Sequence, residues 1–426
     1  MAVMLGIAAC GDTPTGPVTP TEVTLKLCGD APAWVAFQDG DGAWTEVKGV
    51  LTGTAHTYTF SMTSPIGGVA VVDTLTCSVV NWVVYGTAAE LAQLYSGEQC
   101  GSGHKTITGS LAGGIAGLYS MVTLGGGWDP VYGESGSFTL EEVAPGPQDL
   151  IAARGSNFGH DRVIIRRGLD LPNDAVIPLL DFNSAEAIAL DSATVSIDQP
   201  PNDVTSYVTS SIETANRGWA PGSISTAKTT SWYRGLPASA MIPGDVHRIS
   251  VSTLGRYVDT YVGSIANLTV SLGPVAATPT VTTLSSATPV RMRMTTPVQA
   301  TYAKVATAGF QAGTRPRWIV NLAMTEGYRG NTDSWILDVP DFGSTSGYDA
   351  SWGIPAGTLR SWSSQVYDWN FYAKFVPTPG LTRRRAGVSS TSAAASAMPS
   401  LSEPGSRQIG RPAAVGAPEI QALCSL

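Results

Sequence analysis

Five tryptophans, Trp318, Trp335, Trp352, Trp362 and Trp369, fall within about fifty residues, with Asp333, Asp349 and Asp368 close by. Flat rings beside carboxylates suit sugars, because pyranose C–H faces stack on an indole while carboxylates accept from the hydroxyls. Trp352 lies in the turn-rich Ala350-Ser-Trp-Gly-Ile-Pro355 and is the first choice for an exposed ligand platform, with Trp335 and Asp349 as companions. Burial in a core is the default reading of these rings, since Trp335 and Trp362 begin strand-like runs and each buried Trp removes ~150–250 Å² from water.

Acid–base and metal chemistry find less support. The four histidines, His56, His104, His160 and His247, are far apart. His104 and His160 stand in linker-like surroundings and read as surface residues. His247, in Asp245-Val-His-Arg248, precedes a strand and could pair with Asp245. Triads assemble from distant residues, so a secreted hydrolase stays open as an alternative, although no G-x-S-x-G occurs. Asp39-Gly-Asp-Gly42 resembles part of a calcium loop, but Ala43 and Trp44 interrupt the oxygen ligands. A hairpin turn is the better reading. With no C-x-x-C and no Cys/His cluster, neither a metal nor a cofactor is expected.

Such residues need a scaffold, and composition points to one. At 426 residues the chain has room for several domains, and its 43% hydrophobic content is enough for real cores. Only 14% of residues are charged, which suits sheet surfaces better than helices laced with Glu–Lys pairs. The 47 Gly and 28 Pro are spread without a period and read as frequent turns. A net charge of −8 offers no basic footprint for nucleic acid. No internal apolar run reaches the length of a membrane-spanning helix.

Strand rhythm divides the chain. Residues 22–102 read as a β domain with one short helix: Val23, Leu25 and Leu27 alternate with polar residues, Ala33–Gln38 and Ala43–Val47 flank the Asp-Gly turn, and Thr87-Ala-Ala-Glu90 matches a capping box. Residues 103–197 form a second β unit. After the break at Gln199-Pro-Pro-Asn-Asp203, residues 198–275 form a third. Residues 276–377 form the Trp-rich fourth, where Val290-Arg-Met-Arg-Met294 alternates strictly. Residues 378–426, with Arg383-Arg-Arg385 and no periodicity, read as a disordered tail.

Two stretches resemble known families. Ile7-Ala8-Ala9-Cys10, followed by a Pro/Thr-rich run to Thr21, resembles a bacterial lipobox and its tether. That resemblance implies lipidation of Cys10 and a place in the bacterial cell envelope, outside the cytoplasm, held to the membrane by acyl chains. Export would permit a disulfide among Cys28, Cys77 and Cys100, and spacing leaves all three pairings open. Lys105-Thr-Ile-Thr-Gly109, Val122-Thr-Leu124, Gly136-Ser-Phe-Thr-Leu140, Val143-Ala-Pro-Gly146 and Asp149-Leu-Ile-Ala152 together resemble the carboxypeptidase-regulatory-like (transthyretin-like) β-sandwich. In that family the domain is an accessory module, which implies structure or adhesion and no reaction.

The expectation is an all-β protein of tandem β-sandwich domains, with a lipobox-like start and a disordered tail. Its expected role is a non-catalytic surface or periplasmic lipoprotein that scaffolds, adheres or binds. A carbohydrate-binding lipoprotein is the alternative, with polysaccharide or other surface proteins as partners.

Overall fold

The computed structural model describes residues 20–28, 30–53, 55–75, 77–94, 104–156, 159–198, 205–314, 316–370 and 376–390, without the side chain of Cys28. Cys10, Cys100 and the chain beyond residue 390 lie outside the described residues. Among those described, 29 strands and only two four-residue α-helices occur, so the chain is all-β. Its strands form tandem β-sandwiches.

Two sandwiches share one plan. In residues 105–181, strands Ser135–Val143, Lys105–Ala112 and Val176–Asp181 make one sheet. Facing it, Gly127–Tyr132, Tyr119–Leu124, Gln148–Ser156 and Gly159–Leu169 make the other. In residues 191–271 the corresponding sheets are Thr230–Gly235, Asp191–Asp198 and Leu268–Ser271, and Trp219–Ala227, Ser206–Glu213, Val246–Thr253 and Arg256–Val262. In both units the fourth, first and seventh strands face the third, second, fifth and sixth, and the first and seventh run parallel.

Alternation explains the packing. Ile107 and Leu111 from one layer and Val122, Leu124, Leu150 and Ile164 from the other interleave around Phe138. Around Tyr233, Val195 and Val270 meet Val208, Ile249 and Val251 in the same way. Each such side chain contributes ~1.5–3 kcal/mol through burial.

Numbered along the chain within the sheet itself, the four-stranded sheets of the first and last units run second, first, third, fourth, as those of the middle units do. These are Thr45–Glu46, Trp34–Asp39, Ile66–Leu75 and Ser78–Thr87 in the first unit, and Arg317–Thr325, Val305–Ala312, Leu359–Tyr367 and Thr382–Ser389 in the last. Strands Thr21–Cys28, Ala55–Met62 and Val50–Thr52 cover the former, with Val23, Leu25, Tyr58 and Phe60 facing in. Strands Thr280–Ser285, Arg291–Pro297 and Ser334–Asp338 cover the latter through Met292, Met294, Trp335 and Leu337.

What the strand rhythm did not foretell is that these four-stranded sheets join edge to edge. Ser78–Tyr85 runs parallel to Arg317–Met324, making strands of the first and last units neighbours in one sheet. Arg256–Thr260 pairs antiparallel with Thr382–Ala386. Gly159 meets Ser223 between the two middle units. Here a side chain on Gly159 is impossible: its φ is +104°, and a Cβ would lie 2.6 Å from Ser223 Cα.

The second seam corrects the start of the tail expected over residues 378–426, of which 391–426 lie outside the described residues. Thr382–Ser389 is a strand paired on both sides, and the three arginines have partners. Arg383 lies over the Trp369 ring at 4.3 Å, Arg385 over Tyr257 at 4.9 Å, and the Arg384 N–H donates to Asp368 at 2.6 Å. Three like charges in a row read as solvated, but aromatic faces and a carboxylate take them individually.

Candidate functional site

The Trp-rich unit does not present its rings together. Trp335, expected on a ligand platform, is fully buried, with Arg329 stacked 4.6 Å above its ring. Alternation puts Trp335 and Leu337 inward, so this indole is core and cannot meet a sugar. Trp352 is half-buried and meets Tyr348 edge-on at 5.6 Å. Asp349 is exposed, and its Oδ1 accepts from the Ser351 N–H at 2.8 Å, capping a single turn at Ala350–Trp352. That hydrogen bond holds its carboxyl below the ordinary value. Trp352 and Asp349 are thus neighbours, while Trp335 stands apart from both.

Trp318 is the ring that borders open space. Its Nε1 donates to the Ser351 carbonyl at 3.0 Å, which fixes the indole beside a cleft of about 460 Å³. Gly313, Thr314, Pro316, Thr358, Leu359 and Arg360 line the rest. Sequence reasoning grouped Trp318 with the other four tryptophans. The signal that separates it is the Gly313 and Gly357 turns on either side, which only the folded chain brings together.

The histidines sit in closed surroundings. His247 is completely buried and its Nε2 accepts from the Leu236 N–H at 2.8 Å. His160, expected at the surface, is buried against Tyr119 at the seam between the middle units. Burial pushes both imidazoles down to about 4, outweighing nearby Asp245 and Asp161, so both are neutral at pH 7. Asp245 turns away from His247 toward Arg167. The Gly42 N–H donates to the Asp39 carbonyl at 3.0 Å and closes the Asp-Gly turn, while the Asp39 carboxylate accepts from the Thr63 and Ser64 N–H groups at 2.9 and 2.8 Å. No group of three or more potential metal ligands occurs among the described residues.

Two dense polar clusters occur. One lies between the middle units: the Arg167 guanidinium donates to Asp149 at 2.9 Å and to Asp245 at 2.7 and 3.0 Å. Both carboxylates are completely buried. Burial alone would raise Asp149, but the Gly168 N–H, Arg167, Asn216 and Thr214 together hold it below its ordinary value. The other cluster lies on strands Val246–Thr253 and Arg256–Val262. There Asp259 accepts from Ser250 Oγ and Tyr257 Oη at 2.6 Å each, and from Arg248 at 2.7 Å. Burial and the adjacent Asp259 push the Tyr257 hydroxyl up to about 12, so it is no base at neutral pH, and Ser250 has no imidazole beside it. Both clusters are ion networks that brace sheets; in the second, Arg248 Nε is buried without a hydrogen-bond partner.

A third brace joins the first and last units. Thr87 caps the turn Ala88–Leu91, and the Glu90 carboxylate accepts from the Thr87 N–H at 2.8 Å and from Thr325 Oγ1 at 2.7 Å.

No protein-family model matches the chain, and no curated protein matches it. Among solved structures, it is similar to the FN1–FN3 domains of chicken CNTN1 at 10% identity, covering 63% of this chain and 88% of that one, with a TM-score of 0.15. It is also similar to the Bacillus anthracis TIE protein at 6% identity, covering 85% of this chain and 67% of that one, with a TM-score of 0.13. Likeness at these scores carries no argument about what the chain does.

Proposed function

We propose that the chain is a non-catalytic lipoprotein of a bacterial cell envelope, held by a lipidated Cys10, that serves as a structural or adhesive scaffold. The observation that carries this reading is bracing. Strand seams, the Arg167 cluster and the Glu90 contacts hold the described sandwiches to one another. A spacer must keep such geometry under load, whereas working hinges draw on weakly held segments. For residues 103–197, a transthyretin-like identity is supported by the four-against-three layering with parallel first and seventh strands.

A disulfide between Cys77 and Cys28 fits the same exported setting. Cys28 pairs with Ala55 at the end of its sheet. The next strand enters at Trp34 opposite Val72, close to the turn that holds Cys77. Leu94, the last described residue before Cys100, packs at the far end of Ser78–Thr87, a strand ~30 Å long at ~3.3 Å per residue.

Fractionation of a bacterial host expressing the whole chain tests the anchor. Wild type should sediment with membranes and Cys10→Ala should be released. Continued sedimentation of the variant would overturn the anchor. A carbohydrate-binding role is the second reading, and the open cleft beside Trp318 is the observation that favours it.

A further inference from the structure

The cleft beside Trp318 sets an exposed guanidinium next to an indole. Among the described residues, other arginines are engaged: Arg154, Arg166, Arg167 and Arg293 hold carboxylates, and Arg329 and Arg383 lie on indoles. Arg360, on the rim, is exposed, and its side chain makes no hydrogen bond, ion pair or ring contact with another described residue. Neither does the side chain of Arg317, which precedes Trp318. In a chain of net charge −8 and few lysines, an idle guanidinium beside an open ring marks a place where a negative group would gain most.

The walls agree with that reading. Trp318, Pro316 and Leu359 supply apolar surface, while Thr314 carries a hydroxyl without a described partner. Thr358 Oγ1 donates to the Pro355 carbonyl at 2.7 Å, which leaves its lone pairs able to accept. Gly313 has a φ of +68°, and a Cβ there would lie 2.9 Å from the Trp318 ring, so only glycine lets the backbone come this close to the indole. On the opposite rim, a Cβ at Gly357 would meet nothing within 4 Å, so that side is open. With Nε1 committed to Ser351, the indole has its carbon surface left to offer.

We propose that this cleft binds a carboxylated saccharide, with a sugar ring against Trp318 and the carboxylate on Arg360. Arg pairs with a planar carboxylate through two parallel N–H donors, which distinguishes a uronic acid from its neutral counterpart. This deepens the carbohydrate-binding reading and stands apart from the anchor, which fractionation tests separately.

The test is calorimetric titration of the whole chain with a galacturonic-acid trisaccharide and with the neutral galactose trisaccharide. The acidic sugar should bind at least about tenfold more tightly, the worth of one charge-assisted contact. Arg360→Gln, at an exposed side chain, should melt like wild type and lose that preference while keeping residual binding. Trp318→Ala should abolish binding of both sugars, and Trp318→Phe should retain part of it. No heat with the acidic sugar at millimolar concentration, equal affinity for both sugars, or an unchanged preference in Arg360→Gln would overturn the proposal.

Discussion

Replacing Arg167 by Ala should be the most damaging single change outside a hydrophobic core. Asp149 and Asp245 would be left facing each other, both completely buried and without a cation. Their remaining donors are neutral: Gly168 N–H and Asn216 Nδ2 for Asp149, and the Ala215 and Ile242 N–H groups for Asp245. Stranding a buried charge costs ~3–5 kcal/mol. Because the Arg167 side chain is itself 26% exposed, water can partly replace it, and we expect about 3 kcal/mol. For a cooperative body of ~150–250 residues that corresponds to a fall of about 6–12 °C in Tm.

Differential scanning calorimetry and urea unfolding would measure this loss. It also has a signed pH dependence. In wild type the Asp149 carboxyl lies below its unfolded value, so its contribution is full above about pH 4 and fades as pH falls through the folded value. The variant lacks that contribution already, so the two stability curves should converge in acid. A double-mutant cycle with Asp245→Ala should give a coupling above ~1.5 kcal/mol. A loss below about 1 kcal/mol at pH 7, or one that does not change with pH, would refute the view that this cluster braces the middle units.

Further tests concern other braces. With folded values near 4 against ~6.5 unfolded, His160 and His247 should each withdraw up to about 3 kcal/mol as pH drops from 6.5 to 4, and His160→Gln should flatten that slope in pH-dependent urea melts. Ending the chain at Leu381 removes the strand between Arg256–Thr260 and Ser363–Tyr367, and should yield aggregation visible in light scattering, because two long strand edges are bared.

Local signals were legible and distant ones were not. The Asp39–Gly42 turn and the Thr87–Glu90 capping box are written within four residues, and both form. Strand Val305–Ala312 escaped notice because Ala and Gly fill half of it, giving little strand propensity until Leu359–Tyr367 and Arg317–Thr325 close on its two sides. The seam joining Ser78–Tyr85 to Arg317–Met324 spans more than 200 residues of sequence and leaves no periodic trace. For Trp335 the sequence leaves both faces open, and the pairing of its strand with Arg291–Pro297 decides which one turns inward. His160 looked like a loop residue because burial there comes from a neighbouring unit that the chain reaches some sixty residues later.

Amide hydrogen exchange at the seams would decide whether these sandwiches form one continuous ribbon. Amides of Val79–Tyr85 and Trp318–Met324 should exchange as slowly as those of Val305–Ala312, which lie inside a single sandwich. Exchange of the seam amides at unprotected rates, with the interior strand still protected, would contradict the account.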